Sequence, residues 1–84
     1  MSNSELKQLN KTVGTKQVAR AIRNNQVMQL FLAKDADSKV IKELIDLCHE
    51  KDIEIIYVKT MKELGKACGI EVKAASAAIL KQEN

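Results

Sequence analysis

Apolar residues recur along this chain in two rhythms. Val27-Met28-Gln29-Leu30-Phe31-Leu32-Ala33 and Ile53-Glu54-Ile55-Ile56-Tyr57-Val58 are short, almost continuous apolar runs. Such runs predict strands covered on both faces. Between them Val40, Ile41, Leu44, Ile45 and Cys48 recur at helical spacing, which predicts a helix from Lys39 to about Lys51. Asp35, Asp37 and Ser38 are the candidates to cap it. Upstream, Val18, Ala21 and Ile22 share one face of a helix from Lys16 to about Asn24, with Thr15 as its expected cap. Ser2 and Glu5 are spaced as a capping box for a short helix ending near Lys11, with Leu6, Leu9 and Val13 on its apolar side and Gly14 breaking it. Thr60 and Glu63 repeat that spacing ahead of a helix of about two turns that Gly69 ends. Ile70 to Ala74 reads as a loop. Ala75 to Leu80 is open to two readings: its alanines favour helix, and its short apolar run permits a closing strand.

Strands alternating with helices predict an α/β architecture with helices on both faces of a small sheet. The step from Val27 through the helix to Val58 makes those two strands parallel, joined by a right-handed crossover. One Tyr, one Phe and no Trp leave an aliphatic core. A length of 84 residues with no internal repeat or linker is expected to form one domain, residues 1–84. No apolar run reaches the roughly 20 residues that span a bilayer. The first twelve residues are polar rather than signal-like, so a cytoplasmic location with no membrane partner is expected.

Charge adds a direction. The formal net charge of +3 divides into +4 over residues 1–23, −3 over 24–58 and +2 over 59–84. A surface built from the two basic ends would attract an anion, and small basic domains often bind nucleic acid. Catalytic chemistry finds less footing. Cys48 and His49 are adjacent and point about 100° apart on a helix, so they cannot share a site. Cys48 falls on the apolar stripe and Cys68 just before Gly69, where each is a small core residue. Asp35 and Asp37 follow a strand but are explained by capping. Two cysteines and one histidine form no metal-ligand pattern. The expectation is a non-enzymatic protein with no catalytic residue, cofactor or metal.

What stands out is Val13-Gly14-Thr15-Lys16-Gln17-Val18-Ala19-Arg20. A helix N-terminus offers free backbone N–H groups and the positive end of a dipole to a phosphate. Lys16, Gln17 and Arg20 crowd the first turn and a half, and Arg, Lys and Gln all suit purine edges. Spacing alone also fits an ordinary solvated helix face. On the same footing, the acidic helix around Asp46, Glu50 and Asp52 offers a second reading, a protein-interaction module on the same fold.

Three segments tip the balance: Gly14-Thr15-Lys16-Gln17-Val18, Leu32-Ala33-Lys34-Asp35-Ala36-Asp37, and Lys62-Glu63-Leu64-Gly65-Lys66-Ala67-Cys68-Gly69-Ile70 with the Ala-rich run after it. From about Val13 to Leu80 the chain resembles the kink-turn RNA-binding ribosomal-protein superfamily, most closely its short bacterial members. The resemblance implies a three-layer α/β/α sandwich with a mixed four-stranded central sheet, and so makes Ala75 to Leu80 a strand. It implies a ligand, RNA bent sharply at a bulge flanked by tandem sheared G·A pairs. The protein is expected to act as a monomer, with the ribosome as one setting for that RNA. By analogy Lys16, Gln17 and Arg20 contact guanine edges of those pairs, and Gly14 and Thr15 let the backbone approach closely. The loop Ile70-Glu71-Val72-Lys73 shelters the nucleotide flipped from the bulge, Lys34 lies beside that pocket, and Lys73 faces phosphate. Lys66 joins Lys16, Arg20, Lys34 and Lys73 as an expected phosphate contact. Lys16-Gln17 stands where archaeal and eukaryotic members carry Asn-Glu, as in bacterial-type members, and Arg20 where a Lys is common.

Overall fold

The computed structural model describes residues 10–81. They form β1 (Lys11–Val13), α1 (Thr15–Arg23), β2 (Val27–Ala33), α2 (Ser38–Lys51), β3 (Glu54–Val58), α3 (Met61–Ala67) and β4 (Ser76–Leu80). The apolar runs lie side by side as the parallel pair β2 and β3, with Leu30 opposite Ile55 and Ala33 opposite Val58. β4 is antiparallel to both β2 and β1, which gives a mixed sheet in the order β1-β4-β2-β3. The ambiguous alanine run is thus a strand, and it is flanked on both sides. Ser76, Ala77, Ala78 and Ile79 are all buried in it.

Alternation along the strands sorts the core into two layers. Val18, Ala19, Ala21 and Ile22 of α1 and Leu44 and Cys48 of α2 pack with Leu30, Leu32 and Ala78 on one face. Leu64, Ala67 and Cys68 pack with Phe31, Ala33, Ala77 and Ile79 on the other. Helices therefore cover both faces of the sheet, and the architecture is the expected α/β/α sandwich. No helix among the described residues is long and apolar enough to cross a membrane.

Several local expectations need correction. The helix expected from Ser2 lies outside the described residues up to position 9, and its last residues do not continue a helix: Lys11–Val13 is strand β1, with Val13 opposite Ala77. Thr15 does not cap α1. It is the first helical residue, and the cap position belongs to Gly14 at φ 103° and ψ 144°, a conformation open to glycine. Asp37 caps α2 by accepting from the Lys39 N–H at 2.8 Å, and Ser38 is already helical. Asp35 caps a different helix: its carboxylate accepts from the Met61 N–H of α3 at 2.8 Å. β3 is not buried on both faces. It is the sheet edge, its residues half-buried or exposed, because no strand lies beyond it among the described residues. Thr60 caps α3 as expected, accepting from the Glu63 N–H at 3.0 Å.

Candidate nucleic-acid interface

Four segments remote in sequence are fastened together at one end of the sheet, where β2 and β3 finish and β4 begins. Gly14 N–H donates to the Ser76 carbonyl at 3.1 Å, which sets the start of α1 beside the start of β4. Ala33 N–H donates to the Ala75 carbonyl at 2.9 Å and Lys34 N–H to the Val58 carbonyl at 2.8 Å. Asp35 holds Met61, and the Met61 carbonyl accepts from the Ala74 N–H at 3.0 Å. The belt runs from α1 through β4 and the 70–75 loop to α3 and back to the segment after β2. The basic helical turn and the apolar loop thus share one end of the molecule, even though α1 and α3 cover opposite faces of the sheet.

On that end the sequence-predicted residues divide by exposure. Lys16, Gln17, Arg20, Lys34, Glu71, Val72 and Lys73 are exposed, whereas Gly14, Thr15 and Ile70 are half-buried. The first turn of α1 contains no acidic residue and no side chain bonds to its cap, so neither offsets its leading N–H groups and the positive end of its dipole. Arg20 and Lys16 stand on the exposed side of a helix whose opposite side, Val18, Ala21 and Ile22, is buried. Arg23, one turn on, is turned to another use and pairs with Glu43 of α2 at 3.5 Å. Lys16, Arg20, Lys34, Lys66 and Lys73 make no ion pair among the described residues.

The loop is two things at once. Ile70 packs against the α3-side core and anchors it. Val72 is 69% exposed, the most open of the large apolar side chains among the described residues. A groove of about 570 Å³ lies between α3 and this loop, lined by Lys62, Lys66, Ile70, Glu71, Val72 and Lys73. An apolar floor rimmed by three lysines suits a base with its phosphate. Lys62 was missed as a candidate. Its signal was the i, i+4 spacing from Lys66, which puts both on one side of α3.

Both thiols are buried in the core. Cys48 is fully buried, and burial pushes its pKa up to about 11. Burial raises Cys68 as well, opposed by the nearby Lys11 charge. Neither supplies a thiolate at neutral pH.

The family model described as "Ribosomal protein L7Ae/L30e/S12e/Gadd45 family" matches residues 3–84. The chain belongs to this family. An RNA-binding protein of Caldanaerobacter subterraneus subsp. tengcongensis is 50% identical over 68 residues, covering 81% of this chain and 83% of that one. The RNA-binding protein YbxF of Geobacillus stearothermophilus is 39% identical over 82 residues, covering 96% of this chain and all (100%) of its own. Among solved structures, a 15.5 kD RNA-binding protein of Giardia lamblia superimposes with a TM-score of 0.81 at 21% identity, over 88% of this chain and 62% of that one. At that identity the likeness is one of fold.

Proposed function

We propose that this chain binds RNA and recognises kink-turns, stabilising the bent form by binding it in preference to the extended one. The observation that carries the reading is the juxtaposition at one end of the sheet of an uncompensated cationic helix start and an apolar, lysine-rimmed loop. Family membership and relatives named RNA-binding proteins support the RNA part of it. In this reading Lys16, Gln17 and Arg20 reach guanine edges of the sheared G·A pairs. Gly14 and Thr15 leave room for the strand to approach the α1 N–H groups. Val72 lies against the extruded base, Ile70 fixes the loop to the core, and Glu71 and Lys73 border the pocket, while Lys34, which is not among the groove-lining residues, extends the basic surface from the end of β2. The chemistry is positional, with no catalytic group and no cofactor.

Duplex RNA hides its major groove, so proteins that read RNA sequence take hold of bulges and splayed bases. A kink exposes the guanine edges that α1 would read and frees the base that the loop would cover. One partner then satisfies both patches. The test is a mobility-shift titration of a kink-turn hairpin beside a hairpin whose G·A pairs are replaced by Watson–Crick pairs. Preference for the kink-turn is the expected result. Equal affinity would leave non-specific electrostatics and end the proposal.

A further inference from the structure

Gly65 stands inside the seven-residue helix α3, among Met, Lys, Glu, Leu and Ala, all good helix formers. Glycine is a poor one. Backbone freedom does not explain it, since the positive-φ glycines are Gly14 and Gly69. A neighbour does. A Cβ at position 65 would collide with the Val72 carbonyl oxygen and lie 3.3 Å from the Lys73 Cα. These are backbone atoms and cannot rotate aside as a side chain would. The loop is a strap laid across the helix and tied at both ends, by Ile70 N–H to the Gly65 carbonyl at 3.1 Å and by Ala74 N–H to the Met61 carbonyl at 3.0 Å. Gly65 is the point where strap and helix touch.

We infer that Gly65 is a positioning residue of the RNA site: its missing side chain sets the height of the 70–73 loop over α3, and so the presentation of Val72 to an extruded base. The inference rests on the function proposed above for what the loop contacts. The placement of the loop is a separate matter and is tested separately.

One readout needs no RNA. Amide hydrogen exchange of Gly65→Ala should show faster exchange at Ala74, whose N–H ties the strap to Met61, with the amides of α1 and β2 unchanged. Wild-type exchange at Ala74 would overturn the inference. The second readout compares a kink-turn with the same RNA made abasic at the extruded position. Wild type is expected to bind the intact RNA roughly tenfold more tightly. Gly65→Ala should bind both at the abasic level while still preferring them to the Watson–Crick control through α1. A general loss of stability would weaken all three RNAs alike and would overturn the inference, as would base discrimination retained by the variant. If wild type itself does not distinguish the kink-turn from the Watson–Crick control, the proposed function fails, and the exchange result alone decides the role of Gly65. Should Gly65→Ala not fold, one glycine inserted between Val72 and Lys73 gives the strap slack. Recovery of the fold supports the inference, and no recovery overturns it.

Discussion

At Gly14 the backbone holds φ 103°, and a Cβ there would lie 3.1 Å from Gln17 Oε1. Gly14→Ala is therefore expected to destabilise the fold by about 1–3 kcal/mol, measured by urea unfolding, because the strain cannot be relieved without moving the start of α1. Arg20 shows the opposite balance, exposed and without an ion pair among the described residues. Arg20→Ala should leave the unfolding midpoint nearly unchanged and cost about 1–3 kcal/mol of RNA affinity; an unchanged dissociation constant would remove it from the site. Cys48 carries a pH signature. Its thiol keeps its proton in the folded state to about pH 11, against a reference value of 9.0. Above the reference value the unfolded chain binds fewer protons, so stability falls with rising pH across the window from 9 to 11. Two units at 1.36 kcal/mol each make the loss about 2–3 kcal/mol by the top of that window. Cys48→Ala should flatten this part of a stability-against-pH curve.

The two aspartates after β2 show what a sequence discloses about elements and what it withholds. Asp37 bonds a backbone N–H two residues away, a local geometry that capping rules anticipate. Asp35 bonds Met61, 26 residues on, and nothing local signals it. Asp35→Ala is expected to cost about 0.5–2 kcal/mol of stability, as other caps do. It should also speed amide exchange at Met61, whereas Asp37→Ala should act at Lys39. Strand β1 escaped reading because three residues are too few for an alternation to register. β3 was legible as a strand but not as an edge. Its apolar run looks like a strand sealed on both sides, and strand order is decided by where β4 inserts. The helices fared better, since α2 and α3 carry their caps within a few residues of their apolar stripes.

For the whole molecule, the sequence supplied a list of cations and an apolar loop, and the topology supplied their meeting place. Lys16 and Arg20 could be read from helical spacing. That Lys34 and Val72 belong near them depends on Gly14 meeting Ser76 and Asp35 meeting Met61, contacts between segments far apart in the chain. A few phosphate contacts from this end should give a log–log dependence of affinity on salt with a slope of about −2 to −4, measured by titration at several ionic strengths. A slope near zero would point to a binding surface other than this one.

The smallness of β4 carries a consequence of its own. Ala77 faces the α3 layer and Ala78 the α1 layer, both buried completely. With little more than methyl groups between them, the two helix layers close on the strand like the jaws of a calliper, and the end of the sheet where β4 begins inherits that gap. A valine at either alanine, invisible from solvent, would open the jaws, so the spacing of the two layers is written in side chains that solvent never meets.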